Sequence, residues 1–83
     1  MKTNSMMSVK AMIDLYIRYN LSEETWEMMY NMTLHGLISN DNWSKFFNTC
    51  KGWHFIGEDE TEVADENEKV IFRYDEIGCL ARV

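Results

Sequence analysis

Two cysteines and two histidines are the clearest candidates for chemistry in this chain. Cys50 and His54 lie four residues apart across the predicted end of a helix. Cys79 lies in the last predicted strand and His35 near the end of the second predicted helix. Zinc prefers thiolate and imidazole ligands, and four of them close a structural site. The closely spaced ligand pairs that mark zinc modules are absent, so both cysteines also fit small core hydrophobes. We therefore expect no cofactor and keep zinc as an alternative.

Nucleophilic catalysis would depend on the same Cys50 and His54. Such a pair needs a thiolate within hydrogen-bond reach of its base, together with an oxyanion site. An acidic neighbourhood raises the pKa of a thiol and so works against the thiolate. The sequence also contains no phosphate-binding loop, no HExxH motif and no nucleophile elbow. We therefore expect that the protein is not an enzyme.

Charge is concentrated in one stretch, residues 58–68, where seven of eleven residues are acidic and none is basic. Residues 1–57 hold five acids and five bases, so the net charge of −6 comes entirely from residues 58–83. Direct binding of nucleic acid needs basic residues that neutralise phosphates, so this imbalance argues against it and favours a basic protein partner. The predicted partner-binding residues are Glu58, Asp59, Glu60, Glu62, Asp65, Glu66, Glu68, Asp75 and Glu76.

The spacing of these acids predicts a specific surface if the segment is extended. Glu58, Glu60 and Glu62 would then face one way at intervals of roughly 6.5–7 Å. Carboxylates at that spacing imitate the sign and approximate charge density of a nucleic-acid backbone, which attracts a basic channel built for DNA. Asp75 and Glu76, in the next predicted turn, would join this surface. The alternative is a solvated loop between two strands that only improves solubility.

Three short helices are predicted before this segment, because apolar residues recur there at helical spacing. The predicted caps are Ser8, Ser22, and either Ser39 or Asn40. The predicted stops, which favour or tolerate a left-handed backbone, are Asn20, Gly36 and Gly52. The predicted buried face of the second helix consists of Trp26, Met29, Tyr30, Thr33, Leu34 and Leu37. Trp43, Phe46, Phe47 and Cys50 form the apolar stripe of the third, and Trp53 is also expected in the core.

After Gly52 the apolar residues no longer recur at helical spacing, and the pattern there predicts strands. Trp53–Ile56 starts one strand, residues 69–74 alternate, and Cys79–Val83 returns after a turn at Asp75–Gly78. We predict an α+β fold with three short N-terminal helices followed by a small antiparallel sheet of two to three strands. We predict one domain, residues 1–83, with a loose tail at 1–7 and a helical part at 8–52. The strand part, 53–83, carries the acidic loop 58–68.

A resemblance rests on one stretch of this very small acidic chain, which has no enzyme motif. The stretch contains Lys45-Phe46, then Gly52-Trp53, and then the run of acids. In this combination the chain resembles the proteins that phages and mobile elements use against host defences. It is similar in kind to anti-CRISPR proteins, which block RNA-guided nucleases, and to inhibitors of host DNA-processing enzymes. The resemblance implies a stoichiometric inhibitor that binds a large basic nucleic-acid-handling protein of the host, such as a CRISPR effector nuclease, through an acidic, DNA-like patch.

Location follows from the same residues. Met1 to Ser8 is polar, and no run approaches the ~20 apolar residues that a membrane span needs. We expect a cytoplasmic protein, in a bacterial host cell, that binds no membrane and whose cysteines are reduced.

Two other functions remain open. One is a small structural or zinc-stabilised interaction module that makes its contact through an aromatic or methionine patch. The other is a DNA-binding regulator of the helix-turn-helix kind, whose third helix would enter the groove. That helix would present Lys45, Lys51, Asn42 and Asn48, but also Asp41.

Overall fold

Three helices followed by four strands make up the computed structural model of this protein, which describes residues 6–83. The helices are α1 (Val9–Arg18), α2 (Glu23–Leu34) and α3 (Asn40–Cys50). The strands are β1 (His54–Ile56), β2 (Glu62–Ala64), β3 (Val70–Tyr74) and β4 (Leu80–Arg82). The α+β class is confirmed, but the sheet has four strands where two to three were predicted. The additional strand is β2, which lies inside the segment predicted as an acidic loop.

Contacts along the chain divide it into two compact units. The helical unit extends from the first described residue to Thr49, and the sheet unit is Cys50–Val83, so the division falls at the last residue of α3. No helix in the described part of the chain is long and apolar enough to cross a membrane. Residues 1–5 of the predicted tail lie outside the described residues, and Met7 is held by its backbone N–H on the Leu37 carbonyl.

Serine side chains begin all three helices, as predicted. The hydroxyl oxygens of Ser8, Ser22 and Ser39 accept hydrogen bonds from the backbone N–H three residues later, at 3.1, 3.2 and 3.1 Å. Of the two residues predicted to cap α3, Ser39 is the one that does so. Each such cap satisfies an N–H that the helix leaves unpaired and stabilises the helix by about 1 kcal/mol.

Left-handed residues follow all three helices at the predicted stops. Asn20 and Leu21 after α1 have φ of 57° and 58°, Gly36 after α2 has φ of 81°, and Gly52 after α3 has φ of 80°. A left-handed residue reverses the direction of the chain after a helix and lets its last carbonyl groups be satisfied. These stops set the short connections between successive helices.

The core of the helical unit is built around Phe46 of α3, which is fully buried. Its ring centroid lies 5.6 Å from that of Tyr16 and 4.9 Å from that of Trp26. Met12 and Met29 are also fully buried. Thr25 is the buried polar residue of α2, and its hydroxyl is satisfied by the Ser22 hydroxyl at 2.8 Å.

Three of the six residues predicted to form the buried face of α2 are exposed. Met29 is buried and Trp26 and Thr33 are half-buried, but Tyr30, Leu34 and Leu37 are exposed, Leu34 by 64%. A chain of this size has too little interior to cover an apolar stripe this wide. The same limit applies elsewhere: Phe47 is exposed, and Trp43 and Trp53 are half-buried.

The four strands form an antiparallel meander in the order β1-β2-β3-β4. Phe55, Val63, Phe72 and Arg82 are aligned across it, with Val63 and Phe72 buried. Trp53 meets the edge of the Phe72 ring at a centroid distance of 5.7 Å, and the Arg82 guanidinium lies 4.9 Å from the centroid of the same ring. The aromatic contact links the residue before β1, and the cation–π contact links edge strand β4, to Phe72 of the inner strand β3.

Each strand runs opposite to the one before it, and this decides where the three turns lie. The β1–β2 turn (residues 57–61) and the β3–β4 turn (residues 75–79) lie at one end of the sheet. The β2–β3 turn (residues 65–69) lies at the opposite end. The backbone N–H of Tyr74, just before the β3–β4 turn, donates to the carbonyl of Thr61, the last residue of the β1–β2 turn, at 2.9 Å. This bond holds the β1–β2 and β3–β4 turns side by side.

We predict that Gly52→Ala lowers the free energy of unfolding by about 2–4 kcal/mol. A Cβ at Gly52 would lie 2.5 Å from the Glu66 Cβ, so steric overlap adds to the strain of a left-handed alanine. Gly36→Ala is the matched control, because Gly36 has nearly the same φ but no atom within 4 Å of the added Cβ. It should cost about 1 kcal/mol. Urea denaturation followed by circular dichroism measures both, and equal losses would contradict the close packing at Gly52.

Candidate acidic protein interface

The nine predicted partner-binding acids do not form one surface. Three of them lie in the β1–β2 turn and two in the β3–β4 turn, at the same end of the sheet: Glu58, Asp59, Glu60, Asp75 and Glu76. Three more lie in the β2–β3 turn at the opposite end: Asp65, Glu66 and Glu68. The last, Glu62, lies in β2 between them. The structure therefore joins Asp75 and Glu76 to the first part of the acidic segment and separates them from its second part.

The prediction of an extended row of carboxylates at Glu58, Glu60 and Glu62 is also wrong. Residues 57–60 form a turn in which the Glu60 N–H donates to the Gly57 carbonyl at 3.2 Å, and Glu60 has a left-handed φ of 53°. The chain must reverse here because β1 and β2 pair antiparallel. Side chains in a turn do not alternate as they do in a strand, so the regular spacing of carboxylates is lost.

Glu62 is occupied by an ion pair within the sheet. Its Oε2 atom accepts from Arg73 Nε and Nη2, both at 2.7 Å, and the two residues are cross-strand partners. A pair this exposed adds little stability. Its main effect is electrostatic, because Glu62 neutralises Arg73 and the two together contribute no net charge.

Asp65 and Asp75 build two turns with the same hydrogen bonds. Asp65 Oδ1 accepts from the backbone N–H groups two and four residues later, at 2.8 and 3.0 Å. Asp75 Oδ1 does the same at 3.0 and 2.8 Å. Each Asp N–H also donates to the carbonyl four residues later at 2.9 Å. These are Asx turns, in which the side chain replaces a backbone acceptor. The pair Asp-Glu occurs at 65–66 and 75–76, but also at 59–60, so the sequence alone does not single out these two turns.

The remaining acids at the first end make no such contacts. Within residues 6–83, Glu58, Asp59, Glu60 and Glu76 have no ion pair and no side-chain hydrogen bond, and all are exposed. We call the set Glu58, Asp59, Glu60, Asp75 and Glu76 the acidic end. The opposite end is different, because His54 and Lys69 lie with its three acids. Most of the net charge of −6 is therefore on the acidic end.

One exposed apolar residue lies within the acidic end. Ile77 is 83% exposed, at the tip of the β3–β4 turn directly after Glu76. Its backbone N–H is held by Asp75 Oδ1 at 3.0 Å. Sequence reasoning assigned Ile77 to the turn but missed it as a contact residue. The signal for it was an isoleucine in a turn otherwise made of acids and glycine.

The four zinc candidates are not gathered by the fold. His35 follows α2, Cys50 ends α3 and His54 begins β1. Cys79, predicted in the last strand, lies exposed in the β3–β4 turn, at the end of the sheet opposite to His54. Burial raises the pKa of the Cys50 thiol to about 12, which disfavours the thiolate that zinc needs. Within the described part of the chain, no three His, Cys, Asp or Glu side chains are grouped so that they could hold a metal ion. Metal analysis of protein purified without a histidine tag tests this alternative.

Both ring nitrogens of His54 have partners. Nδ1 lies 2.7 Å from the Gly52 carbonyl and Nε2 lies 3.0 Å from Glu68 Oε1. The hydrogen bond to Gly52 and then the one to Glu68 raise the pKa of His54 above its ordinary value. Both partners are acceptors, so the protonated ring satisfies them best and offers no lone pair to a metal.

The polar side of α3, considered above as a DNA-reading surface, is partly used within the helical unit. Lys45 pairs with Asp41 at 3.2 Å, and Asn42 Nδ2 donates to the Met7 carbonyl at 3.1 Å.

A group of aromatic and apolar residues in the helical unit is more exposed to solvent. Trp43 lies between Trp26 and Tyr30, at centroid distances of 5.4 and 5.6 Å, and Tyr30, Leu34 and Phe47 are exposed. This second set is the aromatic surface of the unit.

Comparison with known proteins adds no relative. No family model, no curated protein and no solved structure gives a significant match to the chain.

We predict that Asp75→Ala and Asp75→Asn separate the structural role of this residue from its charge. Alanine removes the acceptor of two backbone hydrogen bonds and should lower the free energy of unfolding by about 1–2 kcal/mol. Asparagine keeps an acceptor oxygen in the same place and should cost little. Urea denaturation measures both. A loss with asparagine as large as with alanine would show that charge, not the turn, is what Asp75 contributes.

Proposed function

We propose that the protein is a stoichiometric inhibitor, encoded by a phage, that binds a basic surface of a host nucleic-acid-handling protein such as a CRISPR effector nuclease. The observation that carries this proposal is the acidic end: five carboxylates on two adjacent turns, with Arg73 of the neighbouring strand already paired to Glu62. Inhibition by occupancy needs no catalytic group.

The geometry supports a DNA-like contact of a different form from a single row. Turns that join the first and last pairs of strands are separated by two strand spacings, roughly 10 Å. The two grooves of B-DNA are about 6 and 12 Å wide, so two clusters of charge at this separation resemble phosphates facing each other across a groove. A basic channel that holds a duplex would be attracted to both clusters.

Both turns are fixed by hydrogen bonds, which favours tight binding. Asp75 holds the β3–β4 turn, and the Tyr74–Thr61 bond ties it to the β1–β2 turn. Charges on a rigid framework lose little conformational entropy when they bind, so more of their interaction energy appears as affinity. The attraction is between exposed charges and is therefore screened by salt.

We predict that a triple reversal, Glu58→Lys, Asp59→Lys and Glu76→Lys, abolishes binding to the target while the protein stays folded. These three side chains support no described contact, so the fold loses nothing, but the acidic end changes sign. Targets are identified by affinity capture from a bacterial lysate with mass spectrometry, and their dissociation constants are measured by calorimetry. Wild-type affinity should fall steeply between about 0.01 and 0.15 M salt.

The matched control is Asp14→Lys, Glu27→Lys and Glu66→Lys. It changes the net charge by the same amount at exposed acids that lie outside the acidic end. It should keep most of the affinity of the wild-type chain, because only long-range attraction is weakened. If the two triple variants bind equally well, or if binding is insensitive to salt, the acidic end is not the contact surface.

We predict a separate apolar contribution from Ile77. Burial of a fully exposed isoleucine stabilises a complex by about 1.5–3 kcal/mol, so Ile77→Ser should weaken binding roughly tenfold or more. The loss should persist at high salt, unlike the loss from charge reversal. Because the side chain is exposed, the thermal unfolding temperature should not change. Unaltered affinity would place Ile77 outside the interface.

A second candidate function is supported by the aromatic surface of the helical unit. Tyr30 and Phe47 are exposed beside Trp43, and Leu34 is exposed on the same unit; such residues suit a small interaction module that makes an apolar contact. Such an interface would be nearly insensitive to salt and would be lost in Tyr30→Ser with Phe47→Ser. The triple reversal at the acidic end would leave it intact. A gel-shift assay with duplex DNA tests the weaker alternative of a DNA-binding regulator.

A further inference from the structure

The β2–β3 and β3–β4 turns are built alike but differ at one position. Each begins with an Asp that accepts from two later N–H groups, and each has a left-handed residue three positions after that Asp. In the β3–β4 turn this residue is Gly78, with φ of 86°, which suits glycine. In the β2–β3 turn it is Glu68, with φ of 65°. A residue with a side chain is less stable than glycine in this conformation, which Leu21 and Glu60 also adopt.

The side chain of Glu68 has a partner that Gly78 lacks. Its Oε1 atom lies 3.0 Å from His54 Nε2, and the other ring nitrogen of His54 lies 2.7 Å from the Gly52 carbonyl. The imidazole thus bridges the β2–β3 turn and the segment that leads into β1. The two are already in close contact, because a Cβ on Gly52 would lie 2.5 Å from the Glu66 Cβ.

The groups that face His54 are acidic. Glu68 and Asp65 face it from the β2–β3 turn, and Ala64, its register partner on β2, carries no charge. With a proton on each nitrogen, the ring donates to the Glu68 carboxylate and to the Gly52 carbonyl at once. A neutral ring has a single N–H, so it must give up one of the two hydrogen bonds.

We propose that His54 and Glu68 form a proton-operated latch that fastens the β2–β3 turn to the segment before β1. The latch is closed while the imidazole is protonated. Loss of the proton frees the strained Glu68 to leave its left-handed conformation, and the turn opens more often. The latch lies at the end of the sheet opposite the acidic end and does not depend on the function proposed above.

The direction of the pH effect follows from the folded state. The pKa of His54 is raised there above the ordinary value of 6.5 by the bonds to Gly52 and Glu68. The stabilisation is therefore fully present below pH 6.5 and is lost as the pH rises through the folded-state pKa. The turn should loosen on passing from mildly acidic to alkaline conditions.

The β3–β4 turn, which has the same hydrogen bonds but no histidine contact, supplies an internal control for a hydrogen-exchange experiment. The N–H of Lys69 and the N–H of Cys79 occupy equivalent positions and donate to Asp65 and Asp75, but only the first turn carries the latch. Amide hydrogen exchange by NMR, corrected for intrinsic rates, measures the protection of Lys69 relative to Cys79. This ratio should fall several-fold as the pH rises through the His54 titration, which the imidazole resonances follow in the same samples.

Two variants complete the test. Glu68→Gly removes the carboxylate and the strain together, and Glu68→Gln keeps the shape but removes the charge. In both, the titration midpoint of His54 should drop, and the Lys69-to-Cys79 ratio should lose its pH dependence in Glu68→Gly. A constant ratio in the wild-type chain would overturn the latch, as would a His54 midpoint that Glu68→Gly leaves unchanged.

Discussion

Antiparallel pairing of very short strands is the constraint on which the rest of the sheet unit depends. Strands of three to five residues leave the chain no choice but to reverse every few residues, and each reversal alternates between the two ends of the sheet. Nine acids that are close together in sequence are thereby divided. The division gives one end a concentrated negative charge and leaves three acids at the other, where His54 and Lys69 lie beside them.

Acidic residues therefore have three different roles within one short stretch. Asp65 and Asp75 replace backbone acceptors in turns, Glu62 neutralises Arg73, and Glu68 meets His54. Only the acids without such partners have both carboxylate oxygens free of contacts within the fold. Composition alone treats all of these as equivalent, and this is why a count of charges overstated the size of the candidate surface.

The helical half was predictable because its signals are local. Serines at the starts and left-handed residues at the stops act on the nearest backbone groups, so together with the apolar spacing they predicted α1, α2 and α3 closely. Burial was less predictable, as Leu34 and Phe47 show, because it depends on how much surface the neighbouring elements can cover. The strand β2 was missed because its three residues, Glu62–Ala64, are too few to show alternation, and only pairing with β1 and β3 on both sides makes them a strand. The separation of Asp65, Glu66 and Glu68 from the acidic end was missed for the same reason, since it follows from strand direction and not from any residue within the turns.

Different residues of the β3–β4 turn maintain its shape and form its exposed surface, and this affects how such a protein can change over generations. Asp75 and Gly78 maintain the shape of the turn, whereas Glu76 and Ile77 point outward and support nothing within the fold. Mutations at the outward positions therefore alter what the surface recognises without endangering folding. A lineage under pressure from a partner that keeps changing could explore new contacts at these positions while the two framework residues stay the same.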